Sequence, residues 1–237
     1  MMRPPAAADD RLEYAPSSAS PKRRAKRVLD VVVSAALLVI CAPLMVLISV
    51  AIKYDSAGPV IFASDRVGVR RSGRDGKELQ LSTFRMYKFR SMVVHADSTI
   101  HENHIRAFVN GDLPPVTTRA GFKLANDARV TRIGRILRAT SLDELPQLVN
   151  VLRGNMSLVG PRPLPLYEVS HHSPRAQVRL EAVPGLTGLW QVKGRANASY
   201  AEMISLDLRY VESQSFFLDL KILMLTVLAV LKGRGAA

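Results

Sequence analysis

One cysteine, Cys41, and one tryptophan, Trp190, stand in 237 residues. A single thiol excludes a disulfide framework within the chain and fits a reducing compartment. Aromatic residues make up only 6% of the sequence and none interleave with the arginines, so the stacking platforms of a nucleic-acid binder are missing. Acidic residues are also scarce: 20 against 33 basic ones leave a formal charge of +13. That balance calls for a polyanionic partner, and with nucleic acid set aside, anionic lipid and nucleotide phosphates remain. Charge of either sign disappears between Val31 and Ile52, a run of 22 residues. A straight helix of that length covers about 30 Å of hydrocarbon.

A signal peptide fits this run poorly, because it overshoots the usual apolar core of about 7–15 residues and follows a long basic region interrupted by Asp30. A spanning helix fits the length. Basic residues flank both ends, however: Lys22, Arg23, Arg24, Lys26 and Arg27 before it, Lys53, Arg66, Arg70 and Arg71 after it. The positive-inside bias would hold both flanks in the cytoplasm. Pro43 divides the run into apolar arms of 12 and 9 residues, Val31–Ala42 and Leu44–Ile52. Proline lacks the backbone donor and crowds the preceding turn, so Pro43 is either the apex of a re-entrant helix pair or a tolerated kink in a spanning helix. Chain physics leaves both open. Residues 1–27, rich in alanine, proline, serine and charge, read as a disordered basic tail.

Beyond Ile52 the pattern is globular. Val60–Phe62 and Thr83–Arg90 read as two strands of a small hairpin, separated by a Gly/Arg-rich loop from Gly68 to Gly76. Alternation would place Lys88 and Arg90 on one face and Phe89 on the other. Residues 95–126 carry His95, His101 and His104 without the remaining pattern of a metal site, so surface histidines are the commoner explanation. Thr131 is a helix N-cap ahead of Ile133, Ile136 and Leu137, and a second helix through Leu148–Leu152 stops at Gly154. Phe216–Leu231 is apolar apart from Asp219 and Lys221, and suits a helix on the core or at a membrane interface.

The densest chemistry lies in Leu137–Leu148. Asp143 and Glu144 are adjacent carboxylates between Arg129, Arg132, Arg135 and Arg138 on one side and Arg153 and Arg162 on the other. Guanidinium groups gather where phosphate oxyanions are held, and they keep a nearby carboxylate ionised. Ser141-Leu142-Asp143-Glu144 also spells a capping box, and on local physics a structural role for Asp143 is the commoner one. Pro146 argues against Ser141 as the cap, because it would then remove a donor at the fifth helical position.

Six passages taken together resemble the bacterial sugar transferase family, the monotopic polyprenyl-phosphate phosphoglycosyltransferases. They are Lys26-Arg27…Asp30; Gly58-Pro59-Val60; Lys88-Phe89-Arg90-Ser91-Met92; Leu137-Arg138…Ser141–Leu148; Met156–Pro163; and Pro184–Arg195. The resemblance implies an α+β, mainly helical fold. It comprises a helix-break-helix membrane hairpin over 28–55 with Pro43 at the break, a catalytic domain over 56–215 containing the small β-hairpin, and an interfacial amphipathic helix over 216–237. The implied location is the cytoplasmic face of the bacterial inner membrane. The implied activity moves a phosphosugar from a UDP-sugar to polyprenyl phosphate with Mg²⁺ and releases UMP. Asp143 matches the family's nucleophile and metal ligand, and Glu144 its partner. Lys88, Arg90, Arg138 and Arg162 are assigned to phosphoryl oxygens, and Gln191 and Arg195 to the nucleotide or sugar. The non-enzymatic alternative is a membrane-surface scaffold for anionic lipid. Dimerisation and the identity of the sugar stay open. The pattern departs from the family at Ser64, in the length of the segment between Gly68 and Phe84, and at Asp127-Ala128-Arg129. The larger members of that family carry further N-terminal spanning helices, which this sequence lacks.

Overall fold

The computed structural model describes residues 21–72, 79–97, 99–110, 112, 127–193 and 198–231. It opens with α1 (Pro21–Asp55), a 35-residue helix that contains Pro43. The helical assignment runs through the proline instead of dividing into two arms, so the expected break is not a gap between two elements. Helix α1 also begins inside the segment read as a tail. Lys26 and Arg27 belong to it and are docked: Arg27 donates to the carbonyls of Val151 and Leu152 at 2.6 and 2.7 Å. By length and composition α1 is able to cross a membrane.

Two surfaces of α1 hold it to the rest of the chain. Near the start, buried Asp30 accepts from the Leu158 backbone N–H at 3.0 Å and from the Ser157 hydroxyl at 3.1 Å. One turn earlier, Lys26 donates to Asp219 at 2.7 Å and to the Val159 carbonyl at 2.9 Å. Near the end, Ile48 and Ile52 are buried against Phe89 and Leu137. Between these anchors Val39, Ile40, Val46 and Leu47 stand exposed.

The strands β1 (Ile61–Ser72) and β2 (Leu79–Phe89) form the expected antiparallel hairpin, with an irregularity between Val67 and Arg70. It is longer than the sequence reading: β1 continues through Gly68 to Ser72, so the segment taken as a loop is partly paired strand. Helix α2 (Thr99–Asn110) packs Ile105 and Phe108 against Trp190, Met203, Ile204 and Leu208.

Helix α3 (Arg132–Thr140) starts where expected, with the Gly134 N–H donating to the Thr131 hydroxyl at 3.0 Å. A 3-10 turn (Leu142–Glu144) leads into α4 (Gln147–Arg153), which Gly154 ends in the left-handed conformation that glycine adopts freely. A second sheet pairs β3 (Ser157–Val159) in parallel with β4 (Gly185–Thr187). Between them lie α5 (Leu166–Val169), α6 (Pro174–Gln177) and a 3-10 turn (Val178–Glu181). The chain closes with α7 (Leu189–Lys193), α8 (Tyr200–Ser213) and α9 (Phe216–Leu231). Leu148, Val151, Met156, Leu158, Val159, Leu189, Tyr210 and Ile222 make the main core, which joins α4, both strands of the parallel pair and the last helices. The fold is mainly helical with two small sheets, as the α+β reading expected.

Candidate active site

An open cleft of about 240 Å³ is lined by Met86, Lys88, Glu144, Gln147, Arg162, Pro163, Gly185, Leu186 and Gln191. Four of the residues assigned from the sequence therefore meet in one place: Lys88, Glu144, Arg162 and Gln191. Lys88 leaves the end of β2, and its ammonium lies 2.7 Å from the Glu144 carboxylate. Both side chains are partly exposed, so the pair stays accessible to a charged ligand. The Gln191 amide donates to the Leu186 carbonyl at 3.2 Å, while its own oxygen is buried without a hydrogen-bond partner among the described residues.

The backbone around the carboxylates explains how they are presented. Ser141 adopts a left-handed conformation at φ 59°, uncommon for a residue with a side chain. It ends α3 through its N–H to the Leu137 carbonyl and makes no side-chain cap. The capping-box spelling is thus a coincidence of letters. Because a 3-10 turn places successive side chains about 120° apart, adjacent acids cannot point the same way. Asp143 is 8% exposed, whereas Glu144 opens into the cleft. Pro146 closes the turn at the N-terminal boundary of α4.

Asn150, with no exposed surface, ties this unit to the hairpin. Its side-chain oxygen accepts from the Tyr87 N–H at 3.0 Å, and its amide donates to the Arg85 carbonyl at 2.7 Å. The helix that follows Glu144 is thereby locked to the strand residue that precedes Lys88. A polar residue among the apolar positions of α4, one turn after the likewise buried Gln147, was the available sequence signal, and periodicity alone passed over it.

Two assigned cations are placed elsewhere. Arg90 is buried and donates to the carbonyls of Ser56, at 2.7 Å, and Ala57, which clamps the turn after α1. Strand β2 ends at Phe89, so the alternation that put Arg90 beside Lys88 does not extend to it. Arg138 sits on α3 in the field of Asp127 and does not line the cleft. Arg195 lies outside the described residues.

Behind the cleft lies a charge cluster that the sequence did not announce. Arg66, on β1, faces Arg162, Glu168, Tyr167 and Glu144, and burial together with the Arg162 charge pulls its pKa down to about 10. Burial raises the Glu168 carboxyl against the opposing pull of Arg162, Arg66 and Arg179. Arg179 and Asp207 form an ion pair at 2.5 Å with almost no exposure. Burial pushes Asp207 up to about 6, with Arg179 and Arg162 resisting. His101, from α2, meets the Tyr167 hydroxyl at 2.6 Å, and burial with the nearby arginines lowers it to about 4. His101 is therefore an uncharged neighbour of the cluster. Among the described residues no group of three or more His, Cys, Asp or Glu side chains converges as a metal cage. With the two side chains turned apart, a single carboxylate such as Asp143 would suit only a hard cation that takes most of its ligands from water and substrate phosphate.

Comparison with known proteins gives this arrangement a context. The bacterial sugar transferase family model matches residues 21–233. The chain belongs to that family. It is 41% identical over 212 residues to the exopolysaccharide production protein ExoY of Rhizobium meliloti, covering 90% of this chain and 88% of that protein. It is 41% identical to the undecaprenyl-phosphate galactose phosphotransferase of Salmonella typhimurium, covering 89% of this chain but 41% of that longer protein. It is 42% identical to the UDP-glucose:undecaprenyl-phosphate glucose-1-phosphate transferase of Caulobacter vibrioides, covering 87% of this chain and 69% of that protein. The matched region includes the hairpin, the two acids, the Arg162 turn and both apolar helices.

Proposed function

We propose that this protein transfers a phosphosugar from a UDP-sugar to polyprenyl phosphate, releasing UMP and forming a polyprenyl-diphosphate sugar that begins exopolysaccharide assembly. The observation that carries the reading is the convergence of Lys88, Glu144, Arg162 and Gln191 on one cleft, with Asp143 one residue from Glu144. The Salmonella and Caulobacter relatives are named for transfers of this kind.

In the mechanism, the UDP-sugar diphosphate seats between Lys88 and Arg162, whose charges stabilise the phosphoryl oxygens as the transition state forms. An Asp143 carboxylate oxygen attacks the sugar-bearing phosphorus. A phosphorus–oxygen bond to Asp143 forms, the bond to the bridging oxygen breaks, and UMP leaves with that oxygen and the electron pair. The phosphate oxygen of polyprenyl phosphate then displaces Asp143 from the same phosphorus and regenerates the carboxylate. Splitting the transfer in two lets a water-soluble and a lipid substrate use one site in turn. Glu144 orients the dyad and holds Lys88 in place before substrate arrives. The Gln191 oxygen accepts from the nucleotide or sugar. Asp143 would hold Mg²⁺, which would supply charge neutralisation of the diphosphate when bound.

In the same proposal α1 enters the cytoplasmic leaflet and returns. Its two ends pack on one globular domain, with Lys26, Arg27 and Asp30 against β3 and α4, and Ile48 and Ile52 against α3 and Phe89. A helix with both ends on the same body has both ends on the same side of a bilayer, and the apolar stretch around Pro43 is left for lipid. The exposed Phe217, Met224 and Val227 of α9 rest in the same interface.

The test is UMP release across a panel of UDP-sugars with polyprenyl phosphate and Mg²⁺, in wild type and Asp143→Asn. The variant is expected to fold and to lose at least about a thousandfold in turnover, as removal of a nucleophile does. Wild-type protein stopped mid-turnover should carry phosphosugar mass on Asp143. Undiminished turnover of Asp143→Asn removes the covalent step. Lipid binding without UMP release from any UDP-sugar would favour a membrane scaffold.

A further inference from the structure

Arg162 reaches the cleft from the turn over residues 160–165, between β3 and α5, and that turn is fastened at several points. The Gly160 N–H donates to the Thr187 carbonyl at 2.9 Å, the Gly185 N–H to Pro161 at 2.8 Å, and the Val67 N–H to Leu164 at 2.8 Å. These three are backbone contacts from the two sheets. A fourth comes from a side chain: Arg179 donates to the Arg162 carbonyl at 3.2 Å. Arg179 is itself fully buried and ion-paired with Asp207 of α8 at 2.5 Å, and it lies in the field of Glu168.

Burying two opposite charges is an inefficient way to join a turn to a helix. Desolvation offsets most of the attraction, and apolar side chains of similar volume usually hold such a contact as well or better. The ion pair supplies two things that an apolar pair lacks. It places an N–H donor on the Arg162 carbonyl, and it sets a fixed positive charge opposite Glu168, which also faces Arg162 and Arg66.

We propose that Arg179 and Asp207 are positioning residues for Arg162: Asp207 orients Arg179, Arg179 pins the turn at residue 162, and the cleft's guanidinium is thereby held ready for the nucleoside diphosphate. The inference rests on the function proposed above and deepens it, since neither Arg179 nor Asp207 lines the cleft.

A mutant cycle with Arg162→Ala tests it. Arg179→Lys keeps the charge opposite Asp207 but ends one bond short of the terminal guanidinium nitrogen that meets both Asp207 and the Arg162 carbonyl. Asp207→Asn keeps the shape and removes the charge that orients Arg179. KM and kcat for the preferred UDP-sugar are measured together with UDP affinity by calorimetry and the melting temperature. In folded Arg179→Lys, KM and the UDP Kd are expected to rise about tenfold, the scale of a lost charge-assisted hydrogen bond, and kcat to fall as well, because Arg162 also stabilises the transition state. In the Arg162→Ala background the same substitution should change none of them. Asp207→Asn should behave alike and carries the cycle if Arg179→Lys does not fold. Effects of equal size with and without Arg162, or an unchanged KM and Kd, would overturn the proposal. Failure of both variants to fold would assign the pair a plain structural role and overturn it as well. Wild type separates this outcome from the function itself: UDP binding without turnover refutes the transferase reading, while the UDP cycle still decides the positioning.

Discussion

Asn150→Ala is the substitution that most directly tests how the site is assembled. Asn150 has no exposed surface and spends both ends of its amide on the β2 backbone, at 3.0 Å to the Tyr87 N–H and 2.7 Å to the Arg85 carbonyl. Alanine leaves both backbone groups buried without that partner, at about 1–3 kcal/mol each, so the total is about 2–6 kcal/mol. For a protein of this size each kcal/mol lowers the melting temperature by about 2–4 °C, which places the midpoint of the expected fall near 12 °C. Activity should drop further than stability. Tyr87 immediately precedes Lys88, and Asn150 lies on the helix that follows Glu144, so the 2.7 Å pair between Lys88 and Glu144 loses its common frame. The assay is a thermal melt of the purified protein beside UMP release measured well below the melting point. A melting temperature within about 2 °C of wild type would show that the clip bears no strain of assembly. Loss of stability with kcat and KM intact would show that it does not align the cleft.

Other expectations follow from single contacts and from titration. In α3, Gly134 packs so closely on Ser91 that an added Cβ would overlap the Ser91 carbonyl, so Gly134→Ala should force α3 off the end of β2. The expected cost exceeds about 3 kcal/mol, near the upper end for point changes, and is read by denaturant unfolding. His172 hydrogen-bonds Tyr200 at 2.9 Å, and burial with the Arg179 and His171 charges lowers it from 6.5 to about 4. Its folded pKa lies below the unfolded one. The stability it contributes is therefore complete above pH 6.5 and is lost as pH falls toward 4. Melting temperatures across that window should decline in wild type and decline less in His172→Asn; equal slopes would remove His172 from the account.

Local signals were legible wherever the chemistry is local. Thr131 and Gly154 bound their helices because a cap and a left-handed stop depend on neighbours a few residues away. The interval Phe216–Leu231 emerged as one helix because its apolar content has sharp edges. Errors arose where a local rule was extended past its element. Strand alternation carried Arg90 toward the cleft, yet β2 stops one residue earlier and Arg90 turns to the carbonyls of Ser56 and Ala57. At Ser141, by contrast, Pro146 rightly argued against a capping box, and the left-handed backbone there ends α3 with no side-chain cap. The apolar run predicted a helix at α1 but not that Lys26, Arg27 and Asp30 ahead of it would be tied into β3, α4 and α9.

By itself, the order of residues determined the family, the two adjacent acids, the basic character of the site and the existence of two apolar helices, because each is a property of composition or short spacing. Only the tertiary structure decided which cations serve the cleft. Lys88 and Glu144 are 56 positions apart, and Arg162 meets charges from β1, α5, the 3-10 turn and α8. A charge acts through distance and through the water removed around it, and neither is set until the chain has folded.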